Sequence, residues 1–383
     1  MNEIIKFCKR GGFLFLILCV TLVMNHNFGY ITMVGVFSIL VFCVITIREK
    51  IDVGVTTIIL YSFFYILFSS ISGINYSVST LVLYAIAPFI FYQYGGKLVK
   101  NYVNEYHIIT AWLIIIICYC IDVFYVSYGN IVASGSIINA SRSLAFADDM
   151  IKVSATLVGL PLSIGMIGFP MTLIIKNKFA KICFFTLSVL SLISVFSLLN
   201  RTGIVVAVLC FVIVVGYKSL KNINFLFSSI FLIAILLIVL WYSDIISSDL
   251  IEIYNERNAE DIATLGSRTF RWKNAFHNLL DYPFGWIRYR NTNYVHNMWL
   301  DVARISGIIP FSILTYMAID CFLKAFKLIK RYNNSLSYML LGLNVCFFAS
   351  CFVEPIYGGT HFLLYCMLWG TENTILKERR KML

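Results

Sequence analysis

Long apolar runs follow one another along this chain of 383 residues and limit what it can fold into. A run of about 17 to 25 apolar residues can cross a bilayer as an α-helix, and we identify about a dozen. Their approximate bounds are 11–27, 28–47, 53–72, 78–95, 107–126, 153–175, 179–199, 203–217, 223–243, 303–323, 335–354 and 360–376. The sequence therefore predicts an all-α, polytopic integral membrane protein with about 12 transmembrane helices. Because only 13% of the residues are charged, it is not typical of a soluble enzyme or a disordered chain.

The lysines and arginines predict the orientation of these helices, because basic connections are retained on the cytoplasmic side. If the connections alternate and the N-terminus is inside, twenty of the 30 lysines and arginines lie inside, together with both termini. The inside set has 15 lysines and 5 arginines, whereas the outside set has 2 lysines and 8 arginines. We therefore expect both termini in the cytoplasm. The net charge of +11 is then a topology signal, and we expect no nucleic-acid partner.

The chain shows no soluble domain and no repeat, so residues 1–383 are predicted to form a single membrane domain. Two outside connections are long, 127–152 and 244–302. None of the eleven cysteines lies in either connection, and we interpret them as buried hydrophobic residues without a metal or redox role. No cleavage site separates the first two apolar runs, so we expect no cleavable signal peptide.

The connection 127–152 is polar and contains Arg142 and the pair Asp148-Asp149. An acidic pair could coordinate a divalent cation, as carboxylates do in metal-dependent sugar transferases. The favoured interpretation is a solvated helix start before the next span, with no metal site.

The connection 244–302 is the longest hydrophilic stretch of the chain, and a loop of this length is usually functional. Ser267 can cap a helix that starts at Arg268 and ends at Asp281, before Tyr282-Pro283. One face of this helix carries Arg268, Trp272, Ala275 and Leu279. This stripe predicts a helix that lies in the membrane interface.

Arg268 stands in the first turn of that helix, where a cation opposes the helix dipole. A bound anion would reverse this effect, since the free N–H groups and the guanidinium would both face it. Arg268 is therefore a candidate for binding phosphate. The alternative is an exposed arginine that only reaches toward the interface.

Several short motifs occur in a recognisable order. Arg201-Thr-Gly203 stands at the start of a helix, on the outside. Arg268 stands four residues before Trp272, and Pro283-x-Gly285 follows. His296-Asn297 then opens a membrane helix, with Gly307 eleven residues after the histidine. In order and sidedness these motifs resemble the O-antigen polymerase and O-antigen ligase superfamily. The chain departs from the family's P-x-x-G-x-G pattern, because Ile287 stands where a second glycine is usual.

The resemblance implies a sugar transferase at the outer face of a bacterial cytoplasmic (inner) membrane, with 244–302 as its extracytoplasmic catalytic loop. The donor would be an oligosaccharide linked through a diphosphate to a polyprenol, and transfer would invert the anomeric carbon without a metal or other cofactor. In a polymerase the acceptor is the hydroxyl of another lipid-linked repeat unit, and in a ligase it is the lipid A core. Membrane lipid, a chain-length regulator and a flippase are the further partners that the family suggests.

The residues of the loop suit this chemistry. A diphosphate leaving group needs positive charge, which Arg201, Arg268, Arg271 and Arg288 could supply, with Arg290 in reserve. A hydroxyl acceptor needs a base that works near neutral pH, and His296 is the candidate. A capping or packing histidine is the alternative for that position. His361, with Glu354 nearby, is a weaker candidate, followed by His277, His26 and His107.

We favour a polymerase, with a ligase as the second possibility. A flippase or ion-coupled transporter is a more distant alternative, because such proteins place ionisable residues at mid-membrane depth. The deepest charges that the sequence indicates are Asp122 and Asp320, each near the edge of a span. A structural scaffold would not explain arginine in place of lysine outside.

Overall fold

The computed structural model describes residues 12–23, 52–102, 104–135, 143–145, 152–198, 200–220, 227, 268–289, 295–353 and 359–378. Within these residues, 6 helices are long and apolar enough to cross a membrane. They are Val53–Ile71, Glu105–Gly129, Lys178–Ser197, Thr202–Ser219, Ile308–Tyr332 and Ser335–Phe352. A polytopic helical membrane protein is thus confirmed, while the total of about 12 spans stays a prediction. The predicted spans 28–47 and 223–243 lie outside the described residues, apart from residue 227.

The first half of the chain forms helices that the sequence patterns largely predict. In chain order they are α1 Gly12–Val23, α2 Val53–Ile71, α3 Val78–Ala85, α4 Ala87–Asn101, α5 Glu105–Ser134, α6 Ala155–Gly165, α7 Gly168–Ile174, α8 Lys178–Ser197 and α9 Arg201–Ser219. Asparagine or aspartate side chains cap several of them; Asp52, for example, accepts the amide of Val55 at 2.9 Å.

The second half forms the helices around the predicted loop. They are α10 Arg268–Asp281, α11 Met298–Ser306, α12 Ile308–Tyr332, α13 Ser335–Val353 and α14 Thr360–Glu378. Most of α14 is buried by the surrounding helices, from His361 to Asn373.

Interhelical contacts show which helix ends lie together. Where α5 and α13 begin, Glu105 accepts from Asn334 Nδ2 at 2.7 Å. Where α2 begins, Asp52 accepts from Asn373 Nδ2, near the end of α14, at 2.7 Å. We call the end of the bundle where α2, α5 and α13 begin the lysine end. At the opposite end, the Ser72 hydroxyl just after α2 donates to Phe284 O at 3.1 Å. We call this the loop end, because residues 282–297 lie there.

Several predicted boundaries are wrong in detail. The connection 127–152 begins later than predicted, because α5 continues to Ser134 and ends only where Gly135 adopts φ +68°. Strands β1 Ser143–Ala145 and β2 Lys152–Ser154 then pair antiparallel, a small exception to the all-α prediction. Arg142, Asp148 and Asp149 lie outside the described residues.

Three predicted spans are interrupted. The span 78–95 breaks between α3 and α4, where Pro88 occupies the first turn of the second helix. The span 153–175 breaks between α6 and α7, and Pro161 lies inside the first of these. The span 303–323 does not open at His296-Asn297 as a continuous helix, because Gly307 separates α11 from α12.

A buried carboxylate in α14 was missed by the sequence analysis, which treated Asp122 and Asp320 as the deepest charges. Glu372 is fully buried and accepts hydrogen bonds from Asn344 Nδ2 at 2.6 Å and from Cys321 Sγ at 3.2 Å. Its partners belong to α12 and α13, so it joins three helices. A single Glu within an apolar run gives no sequence signal of such partners.

Candidate functional site

Helix α10 is held on the segment that precedes α11. The Trp272 indole N–H donates to Val295 O at 3.1 Å, and its ring lies edge-on against Phe352 at 5.1 Å. The apolar side chains beneath form one small cluster, made of Ala275, Leu279, Trp286, Val295, Leu300 and Ala303. These contacts fix α10 over the residues that lead into His296.

The bounds of α10, Arg268–Asp281, are those that the sequence predicts. The apolar stripe packs on protein, because Ala275 and Leu279 are buried, and the position of the helix in the membrane interface stays a prediction. Different apolar side chains of the same helix are exposed, namely Phe270, Phe276 and Leu280. A stripe that packs on protein and one that faces lipid have the same spacing, so the pattern alone could not distinguish them. Ser267, the predicted cap, lies outside the described residues.

The Pro283-x-Gly285 motif packs against the break between α11 and α12. Gly307 has φ +81°, and a Cβ there would lie 2.0 Å from Pro283 O. Gly285 has φ +105°, and a Cβ there would lie 2.7 Å from Ile305 O. Both positions therefore need glycine, for conformation and for space. Ile308 N also donates to Pro283 O at 2.8 Å, which ties the turn to the first residue of α12.

The second glycine of the family pattern is not needed for this turn. The amides of Trp286 and Ile287 both donate to Arg304 O, at 2.9 and 3.1 Å. These two bonds hold the backbone at the position where the family usually has glycine. Residues 290–294, which follow this turn, lie outside the described residues.

His296 lies at the tip of a tight turn with an uncommon backbone conformation. Its φ is +56°, in the left-handed region that non-glycine residues seldom adopt. The residues on either side are clamped by one carboxylate: Asp301 accepts from Val295 N at 3.1 Å and from Asn297 N at 3.5 Å. Asn297 caps α11 through the Leu300 amide and also donates through Nδ2 to Phe352 O at 2.9 Å. A backbone conformation of this kind is typical of functional sites.

Asp301 forms a buried ion pair with Arg304, whose Nε lies 3.1 Å from Asp301 Oδ1. Burial raises the pKa of the Asp301 carboxyl, and the Val295 amide and the Arg304 guanidinium act in the opposite direction. Arg304 also supplies the carbonyl that holds Trp286 and Ile287. The pair thus links the Pro283–Gly285 turn to the His296 turn. Sequence analysis missed Asp301 and Arg304 as site residues, although their i,i+3 spacing inside a helix was a usable signal.

Arg268 and Arg271 lie one turn apart on α10, and both are half-buried. Trp272, which binds Val295 O, is four residues after Arg268, or about 6 Å along the helix axis. Through Trp272, the described contacts place the first turn of α10, which carries both arginines, beside Val295, the residue before His296. Arg288 is exposed beside the connection between α2 and α3, where its Cδ is 4.0 Å from the position of a Cβ on Gly73.

Arg201 is the first residue of α9, and the structure describes its backbone but not its side chain. Helix α9 runs antiparallel to α13, since Cys210 Sγ lies 3.7 Å from Gly342 O and Lys218 Nζ lies 5.6 Å from the Tyr338 ring centre. The start of α9 therefore points toward the end of α13 that carries Phe352. That is the loop end, where Asn297 and Trp272 also contact Phe352.

The other histidines are placed less favourably. His361 begins α14 at the loop end but is only 1% exposed, and it packs against Phe347 and Tyr119. A base with so little access cannot meet an acceptor sugar without rearrangement. His277 is exposed on α10, and His107 is exposed near the start of α5, at the lysine end. His26 and Glu354 lie outside the described residues.

The described residues contain no group of three or more His, Cys, Asp or Glu side chains that could hold a metal ion. The nine cysteines among them are free thiols, and most are buried.

Residues 186–315 match the family described as O-antigen ligase. This segment contains all five predicted site residues, which are Arg201, Arg268, Arg271, Arg288 and His296. The match confirms the resemblance to the O-antigen polymerase and ligase superfamily that the motifs predicted. No curated protein matches the chain.

Proposed function

We propose, from the family match at residues 186–315, that this chain is an oligosaccharide repeat-unit polymerase of a bacterial inner membrane. It transfers a glycan from polyprenyl diphosphate to the hydroxyl of another lipid-linked repeat unit, in an O-antigen, capsule or exopolysaccharide. The observation that carries the proposal is the His296 turn, which is fixed by Asp301 and overlaid by α10 with Arg268 and Arg271. With both termini in the cytoplasm, this loop end faces outward.

The transfer needs one displacement at the anomeric carbon. The imidazole of His296 takes the proton of the acceptor hydroxyl as its oxygen bonds to that carbon. The bond from the carbon to the diphosphate oxygen breaks, and its electron pair stays on the leaving diphosphate. Attack opposite the leaving group inverts the configuration, and no metal or other cofactor is required.

The arginines have the complementary task. Negative charge grows on the diphosphate as the bond breaks, and preorganised donors at that position stabilise the transition state. A guanidinium offers two parallel N–H donors that match phosphate oxygens. Arg268 and Arg271 have the most direct connection to the His296 turn, through Trp272 and Val295. Arg201 adds charge from the start of α9, and Arg288 from the turn beside Gly73.

A ligase, which would transfer the glycan to lipid A core, is the second candidate within the same family. One observation favours the polymerase: Ile287 replaces a glycine that is usual in the family pattern. Polymerases specific for one repeat unit are expected to diverge in this way. The buried Glu372 is one observation that favours a transporter, because transporters place ionisable residues inside the membrane. Its carboxylate is already engaged by two hydrogen-bond partners, which favours a structural role.

The surface glycan of a deletion strain distinguishes these functions. We expect loss of a polymerase to leave lipid A core that carries a single repeat unit, or to abolish high-molecular-weight capsule. Loss of a ligase would leave core without any repeat unit. Gel electrophoresis of the glycan, with the wild-type gene restored as control, gives the result. A normal ladder in the deletant would contradict both functions.

The clamp on the His296 turn leads to a separate prediction about Asp301. In Asp301→Asn, one of the two carboxylate acceptors becomes an N–H donor that faces the donors Val295 N, Asn297 N or Arg304 Nε. We expect kcat to fall about tenfold to a hundredfold, with KM nearly unchanged, because the base is misplaced while substrate binding is retained.

The matched control is Asp281→Asn, an exposed aspartate at the end of α10. Both variants are purified and compared by steady-state kinetics on lipid-linked repeat units and by thermal unfolding in detergent. If Asp301→Asn lowered only the Tm and left kcat intact, Asp301 would serve stability and would not position His296.

A further inference from the structure

A polar cavity of about 490 Å³ opens at the lysine end, far from the proposed catalytic turn. It lies between the start of α13 and the ends of α7 and α9. The lining residues are Glu105, Ile174, Lys176, Lys218, Asn333, Asn334, Ser335 and Tyr338. Its size is in the range of pockets that bind small ligands.

Two lysines from different parts of the fold meet in this cavity. Lys176 belongs to the connection between α7 and α8, and Lys218 to the last turn of α9. Lys218 Nζ lies 5.6 Å from the centre of the Tyr338 ring, which orients the ammonium toward the cavity wall. Tyr338 is held in turn by its hydroxyl, which donates to Asn333 Oδ1 at 2.7 Å.

The one acidic residue of the lining is engaged elsewhere. Glu105 accepts from Asn334 Nδ2 at 2.7 Å and from Leu336 N at 3.1 Å. Its negative charge therefore stabilises the N-terminus of α13. The lining therefore has a surplus of one positive charge, with amide and hydroxyl groups around it. This composition suits a phosphate group with polar substituents.

The surroundings indicate where such a phosphate comes from. Exposed apolar side chains adjoin both lysines in sequence: Phe179 and Ile182 follow Lys176, and Leu220 follows Lys218. A ligand with its phosphate in the cavity could lay acyl chains along these side chains. Basic pockets between membrane helices are typical binding sites for anionic lipid head groups.

We propose that this cavity binds the phosphodiester head group of an anionic membrane lipid. The lipid would hold α7, α9 and α13 together from the side opposite the catalytic turn. The site is separate from glycan transfer and stands whether the chain is a polymerase or a ligase.

Native mass spectrometry of the full-length protein in detergent tests this proposal. Phosphatidylglycerol is compared with phosphatidylcholine of the same acyl chains. We expect selective retention of phosphatidylglycerol by the wild type. In the double variant Lys176→Gln, Lys218→Gln, the affinity for this lipid should fall about thirtyfold, since each of the two lysines contributes a similar part of the binding free energy near a lipid surface. The control is Lys327→Gln, an exposed lysine of α12 outside the cavity, which should bind as the wild type does.

Three outcomes would overturn the proposal. The double variant could retain phosphatidylglycerol as tightly as Lys327→Gln, which would indicate a general surface effect. Phosphatidylcholine could bind equally well, which would remove the role of charge. Inorganic phosphate at millimolar concentration could displace the lipid completely, which would assign the cavity to a soluble anion. A folding defect in the double variant is detected by its Tm, and the single variants then replace it in the comparison.

Discussion

Replacement of His296 by asparagine is expected to reduce glycan transfer by about a hundredfold to ten-thousandfold, the usual contribution of a general base. Asparagine is the informative substitution here. It tolerates the left-handed backbone conformation that His296 adopts at φ +56°, but its amide cannot take a proton. Loss of activity in His296→Asn therefore reports on chemistry and not on the shape of the turn.

Alanine and glutamine at the same position should be equally inactive, and both lack this tolerance of the left-handed region. The assay is polymer formation by purified protein from lipid-linked repeat units, with the amount of inserted protein measured in parallel. His277→Ala is the matched control, because His277 is an exposed histidine of α10 in the same loop. Near-normal polymer in His296→Asn would make His296 structural, and a rearranged His361 would become the next candidate.

The sequence predicted the elements of this site well where the signals are local. Helix α10 has its predicted bounds because Tyr282-Pro283 must end it whatever it packs against. The glycines at 285 and 307 were recognised as motif positions, and the structure supplies their reason: each faces a backbone carbonyl at the break between α11 and α12. Local rules of this kind do not depend on the tertiary partner.

The signals failed where the partner is distant in sequence. The stripe with Trp272 was interpreted as the face of an interfacial helix, but Trp272 packs on Val295 and Phe352, which no spacing rule connects to it. Asp301 was not chosen because its role depends on a turn that folds back on the start of its own helix. Glu372 was overlooked for a similar reason, since Asn344 and Cys321 come from two other helices. Hydrophobic spacing tells which face is apolar but not what covers it.

The arginines are expected to act through geometry as well as charge. In Arg268→Lys the positive charge remains, but the parallel donors that match a diphosphate are lost. A charge-assisted hydrogen bond contributes about 1.5–3 kcal/mol, so transfer should fall about tenfold to a hundredfold if the bond forms mainly in the transition state. Arg268→Ala should be more severely impaired. Arg201→Lys should resemble Arg268→Lys if both guanidinium groups bind the same diphosphate.

Arg331→Lys is the matched control, an exposed arginine at the end of α12 on the opposite side of the bundle, and it should be nearly silent. Initial rates are measured with purified protein and lipid-linked repeat units in EDTA, since the proposed mechanism requires no divalent ion. The pattern of the defects decides between two roles. If the arginines bind the diphosphate, both lysine variants have a lower kcat than the wild type. If the arginines provide only general positive charge, both lysine variants stay fully active. Full activity of Arg268→Lys and Arg201→Lys would therefore contradict bidentate binding of the leaving group.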